Sequence, residues 1–492
     1  MDHDKKSEPV DVADQKDEMH WETKDTGKLQ EEAAIPKQKD RGVFRNFLNK
    51  FHSIQGMLAG TGLCLLVALS VLYIKVSAQT QTLKNESFKE NISSNSLTDT
   101  NKDISKKKKN KADENKNQEI LGVWLSFLDY QPTSSAQEFS NYINKVMDTC
   151  EELHATDVFV QVRPYADAMY PSKYYPWSRY ATGISQGTAP GYDPLEYMVK
   201  AAHERNLRVH AWINPYRITT SNTDVNTLSS NNNARKWANS STYRIKRRVL
   251  AFNGSLYYNP SRPAVQKLII NGVKELVQNY DIDGIHMDDY FYPTLGDQYA
   301  SVFDAREYKT YVKKETAAGR TADSIVAWRR NNVNTLIRGI YSAIKEIDPE
   351  VSFGISPEGT ISNLYSEKGH YVDAALWMKE EGYVDYICPQ IYWSFKQKYS
   401  PFKKVTDAWV AMKKNENVKL YIGLAAYRAG ISKNEAKSLG DISWSETDEM
   451  LMDQICYGRE TQKVDGYLLF RYSNLVDKKT EDEMDNLMSL FE

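Results

Sequence analysis

The strongest constraint on the fold is a regular alternation of strand-like and helix-like segments from residue 121 to the end of the chain. The strand candidates are short apolar runs, whereas the segments between them repeat apolar residues at the helical period. The strand candidates are residues 121–127, 157–164, 207–216, 282–290, 351–358, 384–393, 420–428 and 466–472. The helix candidates are residues 135–154, 194–205, 262–279, 325–347, 371–381, 405–414, 445–462 and 481–491.

Eight strands that alternate with eight helices are the pattern of a (β/α)8 TIM barrel. Two helix starts support the pattern, because Pro194 follows Asp193 and Pro263 follows Ser261 closely, which places proline in the first turn after a capping residue. An open doubly wound sheet is the alternative, but no glycine-rich phosphate motif follows the first strand. We therefore predict an α/β barrel with long loops over residues 119–492.

The segment before the barrel resembles a membrane anchor with its flanks. Residues 56–74 form 19 positions without a charge, which is long enough to span a bilayer as a helix. Basic residues precede this run and only Lys75 directly follows it, so we expect a cytoplasmic N-terminus and an extracellular barrel. We predict a disordered tail at 1–53, a single transmembrane anchor at 54–75 in the cell membrane and a flexible polar spacer at 76–118. A cleaved signal peptide is the alternative.

The net charge and the spacing of cysteines and histidines argue against nucleic-acid binding, a disulfide scaffold and a zinc motif. The net charge is −2, so the total charge gives no sign of nucleic-acid binding. The four cysteines have no paired spacing, which argues against a disulfide scaffold. The eight histidines are scattered without the spacing of a zinc motif, so we expect no metal and no cofactor.

Polar and aromatic residues collect at the carboxyl ends of the predicted strands, where a barrel of this type places its active site. Such side chains are costly inside a barrel unless they face a wet pocket. Strand alternation places Gln161 with Arg163 on one face, and it directs Asp289 away from the pocket unless the strand has already ended. The predicted substrate-binding residues are Gln161, Arg163, His210, Trp212, Asn214, His286, Asp289, Tyr290, Gln390, Tyr392 and Trp393.

Two acids end adjacent predicted strands, Asp288 on the fourth and Glu358 on the fifth. Glycoside hydrolysis needs such a pair, in which one carboxyl donates a proton and the other attacks the sugar or activates water. Neighbouring strands lie about 4.8 Å apart, so the separations of retaining and inverting enzymes are both reachable. Asp288 and Glu358 are therefore the predicted catalytic residues.

Several long motifs in order resemble the glycosyl-hydrolase-like family 10, over roughly residues 121–475. They are GVWLSF, FVQVRPYADAMYPS, RVHAWINPYR, YNPSRP, DGIHMDDYFYP, ISPEG, YICPQIYW and DGYLLFRYSNL. The resemblance implies a (β/α)8 glycosidase-like domain on a bacterial surface that cleaves the glycan strands of peptidoglycan, notably strands without peptides.

The DGIHMD segment is also similar to the fourth-strand element of alpha-amylase-type enzymes, DG-x-R-x-D. By position this similarity implies that Asp288 is the nucleophile and Glu358 the acid/base. The arginine of that element is His286 here, and a neutral histidine cannot supply the fixed charge of an arginine. The sequence therefore leaves open which residue stabilises the negative charge of Asp288.

Three other hypotheses on mechanism or function remain open. A 2-acetamido group of the substrate could act as the nucleophile, oriented by Tyr392, with an acid on the fourth strand as proton donor. His286 with the aspartates could hold a divalent metal in a polysaccharide deacetylase or hydrolase. A non-catalytic glycan-binding module would need the aromatic residues but no acid pair. The expected partners are a polysaccharide and the lipid bilayer.

Overall fold

The computed structural model describes residues 119–131, 133, 135–288 and 291–491. Within those ranges no helix has both the length and the apolar character that a membrane crossing requires. The predicted tail, anchor and spacer at 1–118 lie outside the described residues, as do Asp289 and Tyr290.

The strands confirm the predicted barrel. In the described chain, eight parallel strands close in the order β1-β10-β9-β8-β7-β6-β3-β2, and β4 and β5 form a separate antiparallel hairpin. The strands are β1 Ile120–Leu125, β2 Asp157–Arg163, β3 Arg208–Ile213, β4 Val249–Phe252, β5 Ser255–Tyr258, β6 Gly284–Asp288, β7 Ser352–Ser356, β8 Tyr386–Ile387, β9 Lys419–Leu424 and β10 Gly466–Leu469.

The helices connect these strands and surround the barrel. Those of two turns or more are α1 Ala136–Glu152, α2 Pro194–His203, α5 Pro263–Asn279, α7 Ala305–Ala317, α8 Ile325–Ile347, α11 Phe402–Met412, α13 Met450–Glu460 and α15 Glu481–Met488. The shorter ones are α3 Asn233–Ala238, α4 Tyr243–Lys246, α6 Gly296–Ala300, α9 Ile361–Leu364, α10 Ala374–Trp377, α12 Lys433–Ser438 and α14 Tyr472–Leu475.

Two apolar layers hold the barrel together. Side chains that point outward from the strands, such as Val158 and Ile285, pack against the helices in one large buried cluster. Side chains that point inward form a smaller aromatic-rich core, which includes Phe159, Trp212 and Tyr386. Alternation along each strand explains the division, because successive side chains face opposite sides.

The differences from the predicted elements have local causes. Only Tyr386–Ile387 of the predicted strand 384–393 forms a regular ladder, because Pro389 lacks the amide that a ladder needs. Pairing resumes at Gln390, which forms isolated bridges with Glu358 and Gly423. The predicted helix 371–381 is one turn long.

The β4–β5 hairpin lies in the connection between β3 and α5, where the sequence analysis predicts neither a strand nor a helix. Its turn is Asn253-Gly254, with positive φ angles of 40° and 77°. Asn-Gly is the preferred pair for a two-residue hairpin turn, since both positions need positive φ. This dipeptide was the available signal for the hairpin.

Gly354 gives a test of core packing, because a Cβ placed there would lie 2.0 Å from ring atoms of Tyr386. We expect Gly354→Ala to lower the free energy of unfolding by about 1–3 kcal/mol, as overpacking of a core does. Gly369→Ala is the control, since its Cβ would meet neighbours only at ordinary distances of 3.8–3.9 Å. Denaturant unfolding measures both, and equal stabilities would contradict the packing described.

Candidate active site

The register of β6 and β7 brings the two predicted catalytic acids to the same end of the barrel. Asp288, the last residue of β6, pairs with Ser356, the last residue of β7. Glu358 follows two residues later and bridges to Gln390. Strand geometry then separates the Cα atoms of Asp288 and Glu358 by roughly 8 Å, from 3.3 Å per residue and 4.8 Å per strand. Both carboxyl groups thus belong to one site.

The two acids have different environments. Asp288 is 4% exposed, and the indole N–H of Trp212 donates to its Oδ2 at 3.3 Å. Glu358 lies nearer the surface, with 17% of its side chain exposed. Asp288 is thus a buried carboxyl that accepts a hydrogen bond, and Glu358 is the more accessible of the two acids.

Glu358 is held by side chains from the segment after β7. Asn363 Nδ2 donates to Glu358 Oε1, and His370 Nε2 lies 3.9 Å from Oε2. His370 Nε2 also lies 3.0 Å from the hydroxyl oxygen of Thr294. The sequence analysis missed Asn363 and His370, because an irregular connection gives no periodic signal that assigns its side chains to a site.

His286 belongs to the barrel core and has internal partners on both ring nitrogens. The Trp124 indole can only donate, so His286 Nε2 accepts its hydrogen bond at 3.2 Å. The ring proton of the neutral form therefore sits on Nδ1, which donates to the Tyr386 hydroxyl at 2.9 Å. Burial lowers the pKa of His286 well below its usual value, and the nearby His210 adds to this effect. His286 is thus a neutral core residue.

The same hydrogen-bonded chain continues to His210. The Tyr386 hydroxyl donates to His210 Nδ1 at 3.4 Å, and His210 Nε2 donates to Asp157 Oδ1 at 2.8 Å. Burial alone would raise the pKa of Asp157, but hydrogen bonds from His210 and Arg208 lower it to about 2. Asp157 is the first residue of β2, so His210 lies toward the amino ends of the strands. The prediction that His210 and His286 bind sugar is corrected: both stabilise the core.

Arg163 also departs from its predicted place. The pairing of β2 with β3 shifts between Gln161 and Arg163, and such a bulge breaks strand alternation. Arg163 is fully buried, and its guanidinium lies 3.8 Å from the ring centre of Tyr175. A Cβ on Gly272 of α5 would lie 2.7 Å from Arg163 Nη1. Arg163 therefore faces the helical layer and not the pocket.

Gln161 and Asn214 lie together at the carboxyl ends of β2 and β3. Gln161 Nε2 donates to Asn214 Oδ1 at 3.2 Å, and Gln161 Oε1 accepts from the Phe127 amide at 3.1 Å. The Nδ2 group of Asn214 is buried and has no hydrogen-bond acceptor in the structure. Asn214 thus offers a donor near Asp288, as a substrate-binding residue would.

Aromatic rings line the opposite side of the barrel mouth. Tyr392 packs against Tyr427 and Phe470, with ring centres 5.8 and 6.1 Å apart. Gln390 forms a bridge with Glu358, and the Trp393 ring lies against the next residue, Gly359. Sugar rings stack on such partly exposed aromatic faces. The predicted roles of Gln390, Tyr392 and Trp393 remain predictions.

Among the residues that the structure describes, no group of three or more histidine, cysteine or acidic side chains is arranged to hold a metal ion.

Comparison with known proteins identifies the family. Residues 119–440 match the family described as glycosyl hydrolase-like 10. The chain belongs to this family. It is 38% identical to glycosyl hydrolase YngK of Bacillus subtilis over 381 residues, and the aligned region covers 73% of this chain and 69% of the relative. It is 33% identical over 400 residues to glycosyl hydrolase DigH of Escherichia coli K12, which covers 76% of this chain and 87% of the relative.

Among solved structures, the glycoside hydrolase domain of PgaB from Bordetella bronchiseptica is 12% identical with a TM-score of 0.46, over 75% of this chain and 99% of that chain. The family match and the relatives named glycosyl hydrolase show the activity. The protein is a glycosidase.

The hydrogen bonds of His286 predict its protonation. We expect ¹⁵N NMR of histidine-labelled protein to show a proton on Nδ1, none on Nε2 and no titration near pH 6.5. The unfolded chain takes up a second ring proton below about pH 6.5, so the stability that neutral His286 contributes falls progressively as the pH drops below that value. A resonance of His286 that titrates near pH 6.5 would contradict the assignment.

Loss of the Trp212 hydrogen bond should lower activity without a change of fold. Trp212→Phe keeps most of the ring but removes the hydrogen bond to Asp288. Hydrogen bonds to charged groups contribute about 1.5–3 kcal/mol, so we expect kcat/KM to fall about 10- to 100-fold. Trp328→Phe on α8 is the matched control and should keep full activity. Wild-type activity in Trp212→Phe would show that this contact does not support Asp288.

Proposed function

We propose that this glycosidase cleaves bacterial cell-wall glycan, with peptidoglycan strands that lack peptides as its main substrate. Asp288 acts as the nucleophile and Glu358 as the acid/base. The observation that carries the mechanism is the β6–β7 register, which places the two acids at the carboxyl ends of adjacent strands. The choice of polymer follows the motif resemblance.

The environments of the two acids support these roles. Asp288 must be ionised to attack the anomeric carbon, and the Trp212 N–H stabilises its negative charge. Glu358 must reach the glycosidic oxygen, and its exposed position at the rim allows this contact. After cleavage, Glu358 would take a proton from water as the glycosyl-enzyme is hydrolysed.

The pocket walls support a sugar polymer as the ligand. Tyr392 and Trp393 offer partly exposed rings beyond the end of β8, and the Asn214 amide offers a hydrogen-bond donor beyond the end of β3. A long glycan placed across the barrel mouth would meet aromatic faces on one side and amides on the other. Tyr392 could also orient a 2-acetamido group, which is the substrate-assisted alternative.

The test is digestion of peptide-free peptidoglycan strands by the purified full-length protein, followed by mass spectrometry and NMR of the products. We expect wild type to release muro-oligosaccharides. Glu358→Gln should lower kcat by about 10²–10⁴-fold, the usual contribution of a general acid, and Asp288→Asn should have a comparable effect. Glu380→Gln, at an exposed glutamate paired with Lys379, is the matched control and should leave kcat unchanged.

Other outcomes would select among the remaining hypotheses. Loss of acetyl groups that a chelator abolishes would support a metal-dependent deacetylase. Binding without any product, unaffected by either carboxyl variant, would support a glycan-binding module. Retained anomeric configuration with full activity in Glu358→Gln but not in Asp288→Asn would support participation of the acetamido group, with Asp288 as the proton donor.

We also propose that residues 54–75 anchor the enzyme in the cell membrane with the barrel outside. The 19 uncharged residues at 56–74 and the basic residues before them support this orientation. Protease added to intact protoplasts should digest the barrel but spare an epitope at the N-terminus. An intact barrel, or release of the protein by alkaline carbonate, would contradict the anchor.

A further inference from the structure

A second pocket, separate from the acid pair, lies between α4 and the start of α5. Its volume is about 410 Å³. Its wall is unusually basic for so small a surface, because three of its seven lining residues are arginines. The lining residues are Thr242, Arg244, Ile245, Arg248, Arg262, Pro263 and Ala264.

An acid that acts on this pocket, Glu307, forms its salt bridge with an arginine outside the pocket. The neighbouring Arg247 forms a two-pronged salt bridge with Glu307, at 3.0 and 2.7 Å. Within the described ranges, no salt bridge involves Arg244, Arg248 or Arg262. Burial lowers the pKa of Arg262, and the charges of Arg244, Arg248 and Arg247 lower it further against the opposing effect of Glu307. An anion in this pocket would relieve that repulsion.

The backbone that carries the arginines is fixed. Asn259 is fully buried, its amide donates to the Arg248 carbonyl and its Nδ2 donates to the Arg247 carbonyl, both at 2.9 Å. The Arg248 guanidinium lies 4.8 Å from the ring centre of Trp237, and Arg262 Nη2 donates to the Arg244 carbonyl at 3.1 Å. The side chains of Arg248 and Arg262 are therefore held in place before any ligand arrives, which lowers the entropy lost on binding, whereas the Arg244 side chain is exposed.

The start of α5 adds a favourable field. This helix is 17 residues long and begins at Pro263, and the Arg262 side chain does not cap its free amides. The positive end of a helix favours anions. The Nε groups of Arg248 and Arg262 are buried and have no acceptor within the protein. Several hydrogen-bond donors thus surround one small space.

The pocket lies on the same face of the barrel as the catalytic acids. The segment that carries it leaves the carboxyl end of β3 and leads into α5, and Asp288 ends the neighbouring strand β6. A polymer bound at the barrel mouth can therefore extend toward α4 and α5. This position makes the pocket a candidate contact for a part of the substrate distant from the cleaved bond.

We propose that the pocket of Arg244, Arg248 and Arg262 binds an anionic group of the glycan, a carboxylate or a phosphate, and so selects acidic wall polymers over neutral ones. Planar guanidinium groups suit both oxyanions. The inference depends on the proposed cell-wall substrate, and it assigns the recognition of charge to residues distant from Asp288 and Glu358.

The test compares binding and cleavage of wall glycan in three chemical states by the full-length protein. The first sample is native glycan with its carboxylates and phosphodiesters, the second has its carboxylates amidated, and the third has its phosphodiesters removed by hydrofluoric acid. The variant is Arg244→Gln/Arg248→Gln/Arg262→Gln. The control, Lys200→Gln/Lys404→Gln/Lys437→Gln, removes the same charge from exposed lysines on other helices.

We expect wild type and the lysine control to bind native glycan at least about 10-fold more tightly than the sample that lacks the recognised anion, and the arginine variant to lose this preference. The arginine variant should cleave the sample that lacks the recognised anion as fast as wild type does. This result would also verify that the variant is folded. Equal preference in the arginine variant and wild type, or no preference in wild type, would overturn the proposal. Binding preference without cleavage would reject the proposed hydrolysis and keep the anion site.

Discussion

The parallel register between β6 and β7 is the constraint on which the site depends. It pairs Asp288 with Ser356 and leaves Glu358 two residues beyond the regular ladder. A slip by one residue would turn one of the two acids toward the helices, because side chains alternate along a strand. The packed core secures the register: Gly354 leaves room for the Tyr386 ring, and Tyr386 in turn bonds His286 beside Asp288.

The polar chain inside the barrel occupies both ring nitrogens of His286, which bond Trp124 and Tyr386. The hydrogen bond to Asp288 comes from Trp212 on the adjacent strand instead. Buried polar groups are costly unless each has a partner, and the donors and acceptors from Trp124 to Asp157 run in one consistent direction. The barrel interior therefore orients its aromatic residues as well as excluding water.

The sequence predicted the barrel well because its signals are local and periodic. All eight barrel strands and seven of the eight described helices of two turns or more follow the predicted apolar patterns, whereas α7 was not predicted. Arg163 was placed wrongly because a bulge in β2 interrupts alternation, and a bulge depends on pairing with β3. His210 and His286 were placed on the correct face, but their partners come from other strands and cannot be read from spacing. The same limit applies to Asn363 and His370, which reach Glu358 from an irregular segment.

The two regions of the carboxyl face have separate tasks in this account. We propose that the acid pair performs the cleavage and that the arginines near α5 recognise charge on the polymer. The central claim is that Asp288 attacks the sugar, and chemical rescue tests it most directly. Azide added to Asp288→Gly should restore cleavage and give a glycosyl azide whose anomeric configuration is opposite to that of the substrate. Rescue that gives no azide adduct, or an uncompromised Asp288→Gly enzyme, would contradict the role of Asp288 as the nucleophile.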